Sequence, residues 1–399
     1  MDKSVKFRWL RLALGVVVLL FSGIIYAWST IRKPFMDFGW SEPKLLLNFT
    51  ITMCLFCIGG FISGLLSKKL SPAIRLIAAA VLTSAGLILV SFINGDSSIA
   101  VLYIGYGIMM GAGVGIVYNV VISATNSWFP DRKGLSSGAL MMAFGLGAFF
   151  IGLITDKLFG MESFGWEKTY RLFGILIGAV MLIAAVFVKF PKAGTVFPVR
   201  AGKRAVSTVN YETREVIKRS SFWMLFVFFM LFAAVGSTAI ADAKNMMGDL
   251  GVVEGITAVA LLVPVCNSLG RIASGLFFDA FGLRKTQYLT SSVVIAATGI
   301  SLIGFITGST AVGIAGLLIC GFSYGFAPTV SAAFTAEFYG LKNFALNFSL
   351  LNLILIPASF APTLSGMLVS SSGSYIPTFA ILTGISFVGL LINLNIRRL

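Results

Sequence analysis

Arg271 and Asn267 stand four residues apart in an apolar run, Ala258 to Phe278, that carries no other strongly polar side chain. At helical spacing the two share one face. A guanidinium keeps its proton, so in hydrocarbon it requires an anion, water or a route to the lipid headgroups. Its planar fork of donors matches a carboxylate bidentately. Asn267 offers an amide, which can hydrogen-bond but cannot take up a proton. No carboxylate lies at comparable depth, and Arg271 is read as the one ionisable side chain buried inside a span. The expected partner is therefore an anion from outside the chain. Two blander roles compete. Arg271 lies about 12 Å along a helix from Asp279, within reach of a snorkelling side chain. Asn267 could equally bond to a neighbouring helix.

The rest of the composition removes most other chemistry. Of 399 residues, 57% are hydrophobic and 11% charged, with a mean hydropathy of +0.95. There is no histidine, and Asp and Glu are confined to loops, so metal sites and Ser/His/Asp catalysis lack material. The four cysteines, Cys54, Cys57, Cys266 and Cys320, fall in apolar spans. The Cys54–Cys57 spacing lacks the soluble setting that thiol redox chemistry needs. No enzyme, metal or cofactor is expected.

The elements that must position Arg271 are membrane helices. A span needs about 20 apolar residues, and twelve such stretches are present. The fourth runs over roughly 99–125, the eighth over 256–277, the tenth over 309–333 and the eleventh over 345–369. The first is too long for a signal peptide and lacks a cleavage site. With an even count, Arg32, Lys33, Lys44, Lys157, Lys168, Arg171 and Lys244 fall on one side. Every other Lys and Arg except Arg271 falls on the side of the termini. Basic loops face the cytoplasm, so both termini are expected there, in a bacterial inner (plasma) membrane. The net charge of +15 is thus spread over short loops flanking the bilayer, and no nucleic-acid partner is expected. Trp28, Trp40, Trp128 and Trp223 read as interfacial anchors.

A polar stretch carrying Pro191 and Pro198 divides the chain. The expected domains are a six-helix bundle over 1–188, a cytoplasmic linker over 189–220 and a second bundle over 221–399. Gly60 to Lys69 aligns with Arg271 to Ala280, and Trp128-Phe129 with Glu337-Phe338, at nearly the same offset. This argues for a duplicated 6 + 6 architecture with its substrate near the midplane. Gly111, Gly115, Gly138 and Gly145 suit close helix contacts, and Pro328, Pro357 and Pro362 suit bends in spans ten and eleven.

Gly275-Leu-Phe-Phe-Asp279-Ala-Phe-Gly282-Leu-Arg284-Lys285 resembles the loop signature of the major facilitator superfamily. The loop after span two departs from it, with Lys68 in place of Asp279 and Ser71 in place of Gly282. Several further segments are similar to the oxalate:formate antiporter and monocarboxylate transporter branch. They are Tyr26-Ala-Trp28, Gly111 to Asn119, Asn126 to Leu135, Phe222-Trp223 and Asn267 to Arg271. The resemblance implies an all-α membrane protein with twelve transmembrane helices in two pseudo-symmetric six-helix halves. It also implies a carboxylate-binding role for Arg271 and a conformational role for Gly275, Asp279, Gly282, Arg284 and Lys285. In the oxalate carrier of that branch a lysine on span eleven adds a second cation. Here the matching stretch is uncharged, with Leu355 near that place, which favours a monoanion.

Tyr118, Asn119, Tyr324 and Asn352 are further candidates for lining a substrate cavity, with ordinary helix-to-helix bonding as the alternative for each. The expected function is secondary transport of a small organic anion, a monocarboxylate, by alternating access in a monomer within the lipid bilayer. Anion exchange is favoured over proton symport because no buried acid accompanies Arg271. Asp156 and Asp242, both at outer span ends, are the nearest candidates for coupling. A facilitator for a non-anionic solute remains the other alternative.

Overall fold

The computed structural model describes residues 7–40, 42–94, 97–192, 194–197 and 210–396. Pro198 and the basic residues Lys3, Lys6, Arg200, Lys203, Arg204, Arg397 and Arg398, used above, lie outside the described residues. Twelve helices are long and apolar enough to cross a membrane, and no strand occurs among the described residues. In chain order they are α1 (Arg8–Ala27), α2 (Leu47–Lys68), α3 (Pro72–Val90), α4 (Ile99–Asn126), α5 (Lys133–Phe159) and α6 (Gly165–Phe187). There follow α7 (Ser220–Ala241), α8 (Val259–Phe281), α9 (Leu283–Thr307), α10 (Thr310–Phe338), α11 (Phe344–Ser372) and α12 (Ile376–Asn395).

Local chemistry sets several boundaries. Ser71 caps α3 by accepting the Ile74 N–H, with Pro72 at the first helical position. Gly282, at φ +77°, turns the chain between α8 and α9 in a conformation that a side chain disfavours. α10 breaks at Gly325, three residues before Pro328, and α11 is interrupted on both sides of a short turn, Leu355–Ala358. Prolines 357 and 362 remove the backbone donors that would bridge those interruptions. Within α4, Tyr103–Met110 winds as a π-helix.

The chain clusters into two compact units. The first comprises Met1–Asp131, Ala143–Val206 and Phe344–Leu350; the second comprises Arg132–Met142, Ser207–Asn343 and Leu351–Leu399. Nothing hydrophobic drives one helix against another in lipid, so close packing of small residues and interhelical hydrogen bonds must do so. In the first unit α2 and α4 touch through backbone, a Cβ added at Gly115 falling 2.0 Å from the Phe56 carbonyl oxygen. The Tyr106 and Tyr170 hydroxyls donate to the carbonyls of Ile24 and Ile31. Trp28 is buried and donates its indole N–H to Leu45, and Trp128 is buried too. Both rings therefore pack inside the protein rather than facing lipid.

Candidate functional site

α8 carries Asn267 and Arg271, and the backbone of α10 fixes where they sit. A Cβ on Gly325 would lie 2.2 Å from the Asn267 carbonyl oxygen and 2.6 Å from the Arg271 nitrogen. One on Gly270 would lie 2.0 Å from the Phe322 carbonyl oxygen. The two helices are therefore in backbone contact at the level of the candidate pair, an arrangement only glycine permits there. On another side, Gly138 of α5 abuts the Arg271 carbonyl at 2.7 Å by the same measure.

Arg271 is 2% exposed. Its Nε donates to Asn267 Oδ1 at 3.3 Å, and its Nη1 donates to the Met141 carbonyl at 2.6 Å. No carboxylate among the described residues pairs with it, and Nη2 donates to no protein group there. Asn267 thus orients the fork, one edge is anchored, and donors remain for a ligand. A charged side chain at mid-helix costs about 3 kcal/mol to insert. Two hydrogen bonds from a charged donor, each about 1.5 kcal/mol or more, are enough to hold it without neutralising it.

Tyr324 precedes the Gly325 contact and packs with Ala233, Ala358 and Leu355. Leu355, near the place where the resemblance implies a second cation, packs against that same cluster. Asn352 is buried at the last residue before the break in α11. Tyr118 and Asn119 belong to the first unit. There the Tyr118 ring sits 5.1 Å from Phe56, 4.9 Å from Phe144 and 6.2 Å from Phe348. Asn119 Nδ2 donates to Ala345 at 2.8 Å, while its Oδ1 is buried without a partner. Phe56, Phe144 and Phe348 were not candidates, because phenylalanine in an apolar span carries no distinguishing signal.

The expectation that Arg271 is alone as a buried charge is corrected. Arg75, expected on a basic flank at the side of the termini, is also 2% exposed, and Arg8 and Lys133, each 7% exposed, are buried too. Arg75 is the fourth residue of α3, turns inward and donates Nη1 to the Ser63 carbonyl and hydroxyl, while Nε and Nη2 are buried with no partner. A cation in a first turn looks like a surface charge in sequence, and only the rotation of the helix buries it.

Asp279, expected in a loop, lies inside the last turn of α8 and is 5% exposed. Its two carboxylate oxygens accept the Gly134 and Leu135 N–H groups at 3.0 and 2.8 Å. A carboxylate at a helix start satisfies orphan donors and opposes the positive end of the dipole. Gly275 and Gly134 are in backbone contact, with a Cβ on either within about 2 Å of the other's carbonyl oxygen. Arg284 and Lys285 are exposed, and Lys285 lies over the Phe281 ring.

The carboxylates considered for coupling are both engaged. Asp156 pairs with Lys33 at 2.5 Å, with both side chains about half exposed. Asp242 accepts from the Tyr375 hydroxyl at 2.5 Å and from Asn245 at 2.6 Å. Burial first, then the bond to Asp242 and the charges of Asp242 and Asp249, push the Tyr375 phenol above its usual range, so it remains a donor.

Comparison with known proteins accords with this geometry. The uncharacterised MFS-type transporter YhjX of Escherichia coli (strain K12) is 25% identical over 358 residues, 87% of this chain and 84% of that protein. The oxalate:formate antiporter of Oxalobacter formigenes is 28% identical over 300 residues, 74% of this chain and 68% of that one. Human monocarboxylate transporter 12 is 28% identical over 125 residues, 31% of this chain and 23% of its own length. The E. coli fucose:proton symporter FucP shares the fold, with a TM-score of 0.72 at 13% identity over 97% of this chain and 98% of that one. The sequence profile of the Major Facilitator Superfamily matches residues 12–356. The chain, with its twelve membrane spans, belongs to that superfamily and is a transporter, not an enzyme.

Proposed function

We propose that this transporter carries a small organic monoanion, a monocarboxylate, by alternating access, and that it works as an anion exchanger. The carrying observation is the Arg271 guanidinium, buried at mid-helix, oriented by Asn267 and lacking a carboxylate partner among the described residues. A carboxylate docking on the free edge of the fork would neutralise it with two charge-assisted hydrogen bonds. Leu355, packed beside Tyr324 where the resemblance expects a second cation, supports one negative charge rather than two. Tyr118, Asn119, Tyr324 and Asn352 are proposed to contribute hydrogen bonds to the substrate, and Gly275, Asp279, Gly282, Arg284 and Lys285 to set the conformational preference of the carrier. The engagement of Asp156 with Lys33 and of Asp242 with Tyr375 supports exchange over proton symport. An unneutralised Arg271 also resists returning empty through an apolar barrier. The basic-residue asymmetry supports a plasma-membrane orientation with both termini in the cytoplasm.

The test is reconstitution into liposomes with labelled formate, lactate and oxalate, with and without internal anion and a pH gradient. Uptake that requires internal anion and ignores the gradient is the expected result. Uptake driven by the gradient alone replaces exchange with proton symport. A strong preference for oxalate overturns the single-charge reading, and uptake of an uncharged solute overturns the anion reading altogether.

A further inference from the structure

Arg11, in the first turns of α1, stacks on the Trp128 indole with its guanidinium carbon 3.7 Å from the ring centroid. The indole is held in turn, its N–H donating to the Lys189 carbonyl at 2.7 Å. Stacking occupies the face of a guanidinium and leaves its edge donors available. None of those donors makes a hydrogen bond within the described residues; Nη1 is sealed in, and Nε and Nη2 are the donors left for a ligand. No carboxylate there pairs with Arg11 or Lys189. Arg11, Trp128 and Lys189 line one shallow groove whose remaining walls include Leu14, Phe187 and Val188.

The groove lies at the ends of two spans, where the headgroups of a bilayer meet the helices. Lys189 stands two residues past the end of α6 and is exposed, and Arg11 is three residues into α1. Outward-facing apolar side chains continue from it towards the membrane centre, Val17 on α1 and Ile183, Val186 and Phe187 on α6. Two unpaired cations at one level, with an apolar strip leading away from them, complement a phosphodiester on two acyl chains. We propose that this groove binds the headgroup of one anionic phospholipid, its phosphate on Arg11 and Lys189 and its chains along α1 and α6. The site lies within the first unit and is independent of the substrate reading. Under the proposed orientation the lipid belongs to the cytoplasmic leaflet, and nothing else in the proposal depends on that orientation.

Native mass spectrometry of the purified full chain in detergent, titrated with phosphatidylglycerol, tests this without any transport assay. The wild type is expected to retain one phosphatidylglycerol in preference to zwitterionic phosphatidylethanolamine. Arg11→Gln and Lys189→Gln are each expected to weaken retention by about fivefold. Lys189 is exposed, so its variant folds even where the Arg11 variant does not. Equal retention by wild type and Lys189→Gln, or equal binding of the two lipids, overturns the proposal. Displacement of the lipid by millimolar inorganic phosphate also overturns it, in favour of a free-phosphate site.

Discussion

Arg271 and Arg75 are both 2% exposed, and neither has a carboxylate partner among the described residues, yet their surroundings differ in kind. Arg75 sits in the first turn of α3, and its two unbonded nitrogens are sealed in. Arg271 sits in the middle of α8, with one nitrogen oriented by Asn267 and another by Met141; its remaining nitrogen is not among the sealed orphans. A buried charge is therefore not by itself a site. A sealed guanidinium has no donor to offer a ligand, whereas the role proposed for Arg271 requires only that one nitrogen stay unsealed.

The largest expected effect separates the two arginines directly. Arg271→Gln removes the charge on which the proposed carboxylate docks, so anion uptake into liposomes is expected to fall by about a hundredfold or more, with thermal unfolding little changed. Arg271→Lys keeps the charge but loses the fork and the Asn267 contact, and uptake falls by about tenfold. If Arg75→Met abolishes uptake as thoroughly as Arg271→Gln, the distinction collapses.

Next in size is Asn267→Ala. It removes the group that orients Nε, and the apparent KM for the anion rises by about tenfold, the value of one charge-assisted hydrogen bond. Asp279→Asn follows, weakening the cap on α5 by about 1 kcal/mol. It lowers the unfolding temperature by a few degrees and shifts transport rate rather than anion affinity. Smallest is Arg75→Met, which replaces a partly unsatisfied buried cation with an apolar chain of similar length. Its unfolding temperature is expected to stay level or rise, with uptake within about twofold of wild type.

The degree to which this was readable from sequence varies with the kind of signal. Twelve apolar stretches and two prolines in one span suffice for the membrane fold and the interrupted α11, because hydropathy and backbone chemistry are local. Arg271 with Asn267 was legible for the same reason, as two polar side chains standing out in an apolar run. The burial of Arg75 was not, since it depends on which way a first helical turn faces. Nor does anything in Asp279 announce that its carboxylate receives Gly134 and Leu135, residues far away in the chain. The ring cluster about Tyr118 was equally silent, as Phe56 and Phe144 look like any other phenylalanines of a span. Long-range pairing is what the local chemistry leaves open.

The π-wound stretch of α4, Tyr103–Met110, has a further consequence. A π-turn accommodates one residue more than an α-turn and is frequently found at functional sites. Here it stores a register shift of one position upstream of Tyr118 and Asn119. Deleting a single residue within 103–110 would let the helix relax to ordinary winding without unravelling. The helix is thereby given a built-in point of adjustment, at which a related carrier could turn the side chains of one end by about 100° relative to the other.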